Sequence, residues 1–400
     1  MKVCLIGNNL TALSLGKNLI NKKIKVFNYV TDCKSISKTR TIGISKDSLD
    51  FFNKEIIKLK KNMIWDIKKI DIYTEKYKDQ KILNFEESIG NLFSILVNSE
   101  IIEYLEKNLK KNKLFKKILV KNNQSLKKII NNEFDLIINC DANNFIAKEF
   151  FFRKIIKNYK SKAFTCIIKH KKIANNTATQ IFTKLGPIAF LPLSNFETSV
   201  VFSVSVEEKN FIDKEIFKLI KFYNHKYKIV DFSNLEKFNL SFSATRNYFY
   251  KNILAFGDVI HRVHPLAGQG FNVTLRDIKV LSELIQNRIE LGLPLDNSIF
   301  QDFEKKTKHL NYIFTSTVDL VHEFFKIDNN KFSCGIKNLE IIDCLVIGHY
   351  STAVFELAEH NRIFLFNEAL NHLGPEFNNL INHPSITLGS YEDLRINLHA

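Results

Sequence analysis

The opening segment, residues 1–30, constrains the fold more than any other part of the chain. Lys2-Val-Cys-Leu-Ile-Gly7 is an apolar run of strand length, and leucines at positions 10, 13, 15 and 19 follow at roughly helical spacing. A second apolar run of strand length occupies residues 24–29. A strand, a glycine turn, a helix and a strand form a βαβ unit, whose first turn can bind a pyrophosphate. The same unit also occurs without a ligand, and this segment alone leaves both readings open.

The turn of this unit differs from the dinucleotide-binding pattern G-x-G-x-x-G. It reads Gly7-Asn8-Asn9-Leu10-Thr11-Ala12, so Asn9 stands where a second glycine lets the backbone approach phosphate. Asn is the non-glycine residue that best tolerates positive φ, and Ala12 is small enough for close packing of the helix on the strand. We interpret Asn28 as the end of the second strand, where an acidic residue would normally bind a ribose. Gly7, Asn9, Ala12 and Asn28 are therefore candidate cofactor-binding residues.

The middle of the chain changes from alternating elements to a run of strands. Strand patterns occur at 163–168, 179–183, 188–193 and 199–206, and an amphipathic helix pattern follows at 211–223. Earlier in the chain, a helix is predicted over 101–115. Such a run of strands predicts an antiparallel sheet inserted into the nucleotide domain.

A second glycine-containing turn follows the strand that ends in Gly257-Asp258. The loop contains His264-Pro265-Leu-Ala-Gly268-Gln269-Gly270-Phe-Asn272, and apolar residues at helical spacing follow it to position 289. A carboxylate can accept hydrogen bonds from sugar hydroxyls, while glycines and a helix N-terminus can approach a phosphate or an anionic ring. The segment therefore predicts an anion site with a carboxylate beside it.

Other site types find little support in the sequence. The six cysteines form no C-x-x-C pair, so we interpret them as buried free thiols and predict neither a zinc site nor a disulfide framework. His261 and His264 lack acidic partners and a third ligand, so no metal site is predicted. Ser45, Ser194 and Cys166 have no nucleophile-elbow or triad context, which argues against a hydrolase.

The net charge of +16 raises the question of an anionic partner. Only eight of the 58 basic residues are Arg, the residue of bidentate phosphate and guanine recognition, so no nucleic-acid partner is predicted. Weak attraction to acidic lipid stays open. No apolar run approaches the ~20 residues of a membrane span, and the first residues lack a signal pattern. We therefore expect a cytoplasmic protein.

The segment from Gly257 to Asp277 resembles the FAD-dependent aromatic hydroxylases of the para-hydroxybenzoate hydroxylase fold, most closely their ubiquinone-biosynthesis branch. That branch typically reads Gly-Asp-Ala-Ala-His, then His-Pro-Leu-Ala-Gly-Gln-Gly-x-Asn-x-Gly-x-x-Asp. Residues 182–193, Phe-Thr-Lys-Leu-Gly-Pro-Ile-Ala-Phe-Leu-Pro-Leu, resemble a strand of the family's substrate domain. Arg40-Thr-Ile-Gly-Ile-Ser45 and Glu87-Ser-Ile-Gly90 resemble two earlier motifs. The matches come in family order and cover residues 1–325.

This resemblance implies a flavin-dependent monooxygenase that hydroxylates an aromatic ring of a polyprenylated phenol in ubiquinone biosynthesis, through a flavin C4a-hydroperoxide. The implied cofactor is FAD and the implied electron donor is NAD(P)H. The implied partners are the polyprenylated aromatic substrate, a quinone-biosynthesis complex and the inner face of the cell membrane, contacted peripherally. Because the flavin carries the chemistry, no catalytic side chain is predicted.

The resemblance also suggests residue roles. Asp258 is placed beside the ribityl chain or phosphate, Gly268 and Gly270 approach the flavin pyrimidine or the pyrophosphate, and Pro265 lines the flavin. Arg40 contacts a flavin phosphate or is a solvated loop cation, and both readings stay open. The candidate cofactor-binding residues beyond the first βαβ unit are Arg40, Asp141, Gly257, Asp258, Pro265, Gly268, Gln269, Gly270 and Asn272.

The resemblance further implies an α/β fold in which an FAD-binding Rossmann-like domain (1–62, 100–160 and 250–295) carries an inserted antiparallel-sheet substrate domain (63–99 and 161–249). A mainly helical C-terminal region with a polar tail (296–400) completes the expectation. The departures from the family pattern are Asn9, Asn28 and the Asp141-Ala142 pair, where the family has Asp-Gly. They leave one alternative open, a non-catalytic scaffold of a quinone-biosynthesis complex. A second alternative keeps the flavin and changes the reaction, as in a flavin-dependent isoprenoid reductase of the same fold.

Overall fold

The computed structural model describes residues 1–30, 37–75, 81–86, 90–120, 126–127, 129, 134–205, 211–262, 270–326, 363–366 and 386–389. The chain divides into two compact units, Met1–Asn311 and Tyr312–Ala400. In the second unit, two short parallel strands pair with Ile363 opposite Ile386.

The first sheet of the Met1–Asn311 unit has six strands in the order β16-β17-β9-β1-β2-β8. Neighbouring strands run parallel except β16, which is antiparallel to β17. In the central strands, Val3 to Ile6 and Leu136 to Ile138 are fully buried, because parallel strands covered on both faces favour continuous apolar runs. The strands are β1 (Lys2–Ile6), β2 (Lys25–Val30), β8 (Phe115–Leu119), β9 (Leu136–Asn139), β16 (Phe249–Tyr250) and β17 (Ile253–Ala255).

Several of the described helices contribute apolar side chains to the core around this sheet. Leu13 of the first helix and Leu105 of the third are fully buried in it, as is Ile278 of the sixth. No helix in the described ranges contains a stretch that is both long and apolar enough to cross a membrane. The helices are α1 (Leu10–Asn21), α2 (Lys46–Phe51), α3 (Asn98–Lys110), α4 (Phe145–Phe150), α5 (Asp213–Tyr223), α6 (Gly270–Glu290) and α7 (Ser298–Lys326).

The second sheet is mostly antiparallel, in the order β18-β15-β10-β13-β12-β11-β5-β6, with β14 also paired to β10. Helix α5 packs on it through Ile216, Ile220 and Tyr223, which join a buried cluster with Phe190 and Phe202. The strands are β5 (Lys69–Thr74), β6 (Lys81–Glu86), β10 (Lys154–His170), β11 (Thr177–Thr183), β12 (Gly186–Pro192), β13 (Glu197–Ser205), β14 (Ile229–Phe232), β15 (Glu236–Thr245) and β18 (His261–Arg262).

A third sheet has three strands in the order β3 (Thr41–Ile44), β7 (Phe93–Val97) and β4 (Trp65–Ile67). Two buried hydroxyl pairs join its first strand and the residues before it to the second sheet. Thr39 Oγ1 lies 2.7 Å from Thr165 Oγ1, and Thr41 Oγ1 lies 3.1 Å from Ser199 Oγ. These bonds fix the segment that contains Arg40 against the antiparallel sheet.

The observed elements correct one sequence expectation and add a feature to another region. The helix predicted over 101–115 begins at Asn98 and ends at Lys110, and Phe115–Leu119 is the edge strand β8. The C-terminal region contains, besides α7, the two strands Ile363–Phe366 and Ile386–Gly389, which the helical pattern did not predict.

Candidate functional site

Three turns meet at one edge of the parallel sheet. Strands β1, β9 and β17 are neighbours and run parallel, so their carboxyl ends lie at the same edge. The turns that follow them begin at Gly7, Cys140 and Phe256. The carboxyl edge of an open parallel sheet is where α/β proteins bind ligands.

The first turn requires its glycine. Gly7 has a φ of +135°, and a Cβ atom there would lie 3.4 Å from the backbone nitrogen of Asp141. Its N–H donates to the carbonyl oxygen of Tyr29 at 2.9 Å. Gly7 therefore holds the first turn against both the second turn and strand β2.

Asn9 begins helix α1 as its N-cap. Its Oδ1 accepts a hydrogen bond from the N–H of Ala12 at 3.0 Å, and its Nδ2 donates to the carbonyl oxygen of Cys140 at 2.6 Å. Its φ is −102°, so the expectation that Asn serves here for its tolerance of positive φ is wrong. The residue serves as a cap, which is a role that Asn fills well. Ala12 is fully buried, as helix-to-strand packing requires.

Asn28 does not end the second strand. Strand β2 continues to Val30, and Asn28 lies opposite Leu5 and Lys117 with no exposed surface. Neither atom of its amide has a hydrogen-bond partner within the described chain. The position interpreted as the ribose ligand is therefore in the sheet interior, two residues before the strand end.

The second turn is held by its own side chains. Asp141 Oδ1 accepts from the N–H of Asn143 at 2.9 Å, and the N–H of Asp141 donates to Asn139 Oδ1 at 3.2 Å. Asn144 caps α4 by accepting from the N–H of Ala147 at 2.9 Å, and it also donates to Asn139 Oδ1 at 2.7 Å. Sequence reasoning missed Asn144, although an Asn before an apolar helical run is a recognisable cap signal.

The third turn brings Gly257 and Asp258 to the same edge. Gly257 has a φ of +59°, and a Cβ atom on it would lie 2.7 Å from Cγ2 of Thr11 in helix α1. Asp258 is exposed. Burial raises the pKa of the Cys140 thiol, and the nearby carboxylates of Asp141 and Asp258 raise it further. The two carboxylates thus flank the end of β9, where they can accept hydrogen bonds from hydroxyl groups.

Helix α6 begins at Gly270, and its first turn is tied to the third sheet. Asn272 Oδ1 accepts from the N–H of Ser45 at 3.2 Å, while its Nδ2 donates to the carbonyl oxygen of Gly43 at 3.1 Å. Its amide is thus engaged by backbone, and direct contact with a cofactor stays a prediction. The predicted residues Pro265, Gly268 and Gln269 lie outside the described residues.

Arg40 lies on the exposed approach to strand β3. Its N–H donates to Ser37 Oγ at 3.2 Å, and its carbonyl oxygen accepts from Asn98 at 3.0 Å. The backbone is therefore fixed, and contact of the guanidinium with a phosphate stays a prediction. The predicted residues that the structure brings together around the three turns are Gly7, Asn9, Ala12, Asp141, Gly257 and Asp258.

A buried polar cluster lies between helices α6 and α7. Asp277, which has no exposed surface, accepts from Asn311 Nδ2 at 3.2 Å and from Arg276 at 3.4 Å. Asn311 also donates to the hydroxyl of Tyr248 at 3.3 Å, and His261 Nε2 lies 3.5 Å from Asp277. Within the described ranges, no group of three or more His, Cys, Asp and Glu side chains is arranged to hold a metal ion.

These turns fit a cofactor that carries a pyrophosphate and a polyol chain. The first hydrogen bond within α1 runs from Leu13 to Asn9, so the N–H groups of Leu10 and Thr11 precede it and can face an anion. Asp258 supplies an exposed acceptor nearby. The fit is reduced at one point, because the N–H of Ala12 is already bound by Asn9.

Comparisons with known proteins agree with this geometry. Residues 140–289 match the family described as FAD binding domain. The chain is 24% identical over 309 residues to "Ubiquinone biosynthesis monooxygenase COQ6, mitochondrial" of Dictyostelium discoideum, covering 64% of this chain and 61% of that protein. It is 24% identical over 180 residues to "Ubiquinone hydroxylase UbiL" of Rhodospirillum rubrum, covering 42% and 41%. The matches thus span about two fifths to three fifths of these relatives.

Solved structures share the fold. The structure of pqsL, "a probable FAD-dependent monooxygenase" from Pseudomonas aeruginosa, aligns with a TM-score of 0.66 at 11% identity, over 84% of this chain and 99% of that chain. The p-nitrophenol 4-monooxygenase PnpA from Pseudomonas putida aligns with a TM-score of 0.67 at 10% identity, over 88% and 95%. The predicted α/β fold and the resemblance to the ubiquinone-biosynthesis hydroxylases are both confirmed.

Proposed function

We propose that this chain binds FAD non-covalently at the three turns and acts as a monooxygenase that hydroxylates the aromatic ring of a polyprenylated phenol in ubiquinone biosynthesis. The observation that carries the proposal is the placement of Gly257, which precedes the exposed Asp258, against Thr11 in the first turn of α1, within the segment that matches the FAD binding domain family. The names of the sequence relatives support the substrate class.

In this proposal the residues of the chain bind FAD and orient it, and the cofactor supplies the chemistry. FAD, when bound and reduced, supplies the activation of molecular oxygen for transfer to an electron-rich ring. The N–H groups of Leu10 and Thr11 would bind the pyrophosphate, and the Asp258 carboxylate would accept hydrogen bonds from the ribityl hydroxyls. The buried Thr39–Thr165 and Thr41–Ser199 contacts hold the segment that contains Arg40 at the junction of the second and third sheets. NAD(P)H is the proposed electron donor.

The proposal is tested by measuring oxygen transfer to a phenol by the purified full chain. The protein is incubated with FAD, NADH or NADPH, a polyprenylated phenol and ¹⁸O₂, and the product is analysed by mass spectrometry. One ¹⁸O atom in the ring hydroxyl supports the proposal. Asp258→Ala removes a charged acceptor and should weaken FAD binding about ten- to a hundred-fold. Asp302→Ala, at a half-exposed side chain of α7, is the control and should bind FAD as the wild type does.

The second candidate is a non-catalytic scaffold, which the Asn9 cap favours because it occupies one donor of the predicted pyrophosphate site. Gly270→Val and Asp258→Ala separate the two functions in a deletion strain complemented for ubiquinone. Loss of ubiquinone with normal protein abundance in both variants supports the monooxygenase. Full ubiquinone production by both variants supports the scaffold.

The proposal places the protein in the cytoplasm, in contact with the inner face of the membrane, where a polyprenylated substrate resides. A surface patch supports this location: Phe152 and Ile156 are 64% and 69% exposed, and the exposed Arg153 and Arg246 are adjacent because their backbones share a 3.0 Å hydrogen bond. Exposed apolar and cationic side chains together suit an anionic lipid surface. Sedimentation with anionic liposomes that is lost in Phe152→Ser/Ile156→Ser supports this location, and unchanged sedimentation of that variant contradicts the patch.

A further inference from the structure

The side chain of Asn9 fills the N-terminus of α1 in a way that glycine would not. Both functions of its amide are used inside the protein, the oxygen by the N–H of Ala12 and the nitrogen by the carbonyl of Cys140. The hydrogen bond to Ala12 occupies a donor at the helix start. The hydrogen bond to Cys140 crosses to the second turn.

The occupied donor is one that an anion would otherwise bind. The first N–H groups of an α-helix have no partner within the helix, and the first bond within α1 here comes from Leu13. The N–H groups of Leu10, Thr11 and Ala12 therefore lie ahead of it, and Asn9 takes the last of the three. A phosphate group at this position would meet an amide oxygen, which is itself an acceptor, in place of a free donor.

The crossing bond stabilises the protein independently of any ligand. Cys140 follows β9, and its own N–H donates to the carbonyl oxygen of Ile6 at 2.8 Å. The Asn9 bond therefore closes a link between the first and second turns that the backbone has already brought together. Removal of the amide should lower stability even when no cofactor is present.

We infer that Asn9 is an internal cap that competes with the pyrophosphate half of FAD. It weakens the hold of the first turn on the cofactor and stabilises the cofactor-free chain. The inference rests on the proposed function, because it concerns the affinity for FAD. The reduced affinity of the site for FAD is thus attributed to the side chain of Asn9, which can be replaced.

Three variants of the full chain test this inference. Asn9→Gly and Asn9→Ala free the N–H of Ala12, whereas Asn9→Ser keeps a capping oxygen for it. Calorimetric titration measures the affinities for FAD, ADP and riboflavin, and thermal unfolding measures the stability of the cofactor-free protein. The first two variants should bind FAD and ADP about ten-fold more tightly, since a hydrogen bond to a charged group is gained. Asn9→Ser should bind them as the wild type does, and riboflavin affinity should not change.

The sign of the change decides the outcome. Tighter FAD and ADP binding together with a lower thermal midpoint supports the inference. If Asn9 had only a structural role, its replacement would lower both the cofactor affinity and the thermal midpoint. Affinity that is unchanged or reduced in whichever of Asn9→Gly and Asn9→Ala folds overturns it. If neither the wild type nor any folded variant binds FAD, the proposed function fails as well, and the two failures are thereby distinguished.

Discussion

The backbone of Gly257 lies directly against the side chain of Thr11, so a Cβ atom on Gly257 would approach Cγ2 of Thr11 to 2.7 Å. This contact sets the third turn against the start of helix α1. It also explains why the residue is glycine, since its φ of +59° is costly for residues that carry a Cβ atom.

Gly257→Ala should therefore destabilise the protein through both backbone strain and the clash with Thr11. Gly292→Ala is a matched control, because Gly292 has a φ of +66° with no heavy atom within 4 Å of the added Cβ. We expect about 1–2 kcal/mol of destabilisation for Gly292→Ala from conformation alone and a larger loss for Gly257→Ala. Urea unfolding of both variants measures the difference. Equal losses of unfolding free energy in the two variants would show that the Thr11 side chain moves away from the added Cβ atom at no cost.

The second prediction concerns Asn28, whose buried amide has no hydrogen-bond partner among the described residues. Asn28→Leu has a similar shape and removes the unsatisfied polar atoms, so it should raise the free energy of unfolding by about 1–3 kcal/mol. Asn28→Asp should lower it, because a charge would be buried. FAD titration of the same variants checks the ribose interpretation. A carboxylate at position 28 that strengthened FAD binding would restore that interpretation.

The buried cluster around Asp277 provides the third prediction. Asp277→Ala leaves Arg276 and Asn311 without their shared acceptor and should cost about 3–5 kcal/mol. The control is Asp302→Ala, whose carboxylate lies 3.5 Å from Arg288 and is 48% exposed, so its loss should cost at most about 1 kcal/mol. Chemical denaturation of both variants is the measurement. Similar losses in the two would mean that the Asp277 contacts contribute little.

Cys140 provides the fourth prediction. Its raised pKa means that less thiolate is present at every pH than for an ordinary thiol, and the thiolate is the nucleophile. Iodoacetamide at pH 8 should therefore leave Cys140 unmodified in the native protein and modify it after denaturation. Peptide mass spectrometry identifies the alkylated residue. Rapid alkylation in the native protein would contradict the burial of this thiol.

Local patterns in the sequence predicted the first βαβ unit and the turns at Gly7 and Gly257, whereas Asp141 in the second turn was predicted only through the family resemblance. Continuous apolar runs such as Val3 to Ile6 indicate buried strands, and glycine marks the first and third turns. The second turn contains no glycine. The position of Asn28 could not be predicted in the same way. A polar residue in an apolar run usually marks a strand end, whereas here it alternates with the buried Val26 and Val30 on one face of β2.

The sequence patterns also failed to predict the edge strand β8 and the side-chain caps of the helices. Strand β8 contains Lys116 and Lys117, and lysines on edge strands prevent the open edge from pairing with another chain. Its composition therefore resembles the end of a helix more than a strand. The contact between Asn9 and Cys140 joins residues 131 positions apart, which no local pattern reveals.

The most direct test of FAD binding is an equilibrium titration of the purified full chain with FAD. The absorbance and the fluorescence of the flavin are recorded at each step. If FAD binds at the three turns, flavin fluorescence is quenched to saturation, the thermal midpoint rises with FAD concentration, and Asp258→Ala binds more weakly. A folded protein whose thermal midpoint and flavin fluorescence both stay unchanged throughout the titration would contradict FAD binding by this chain.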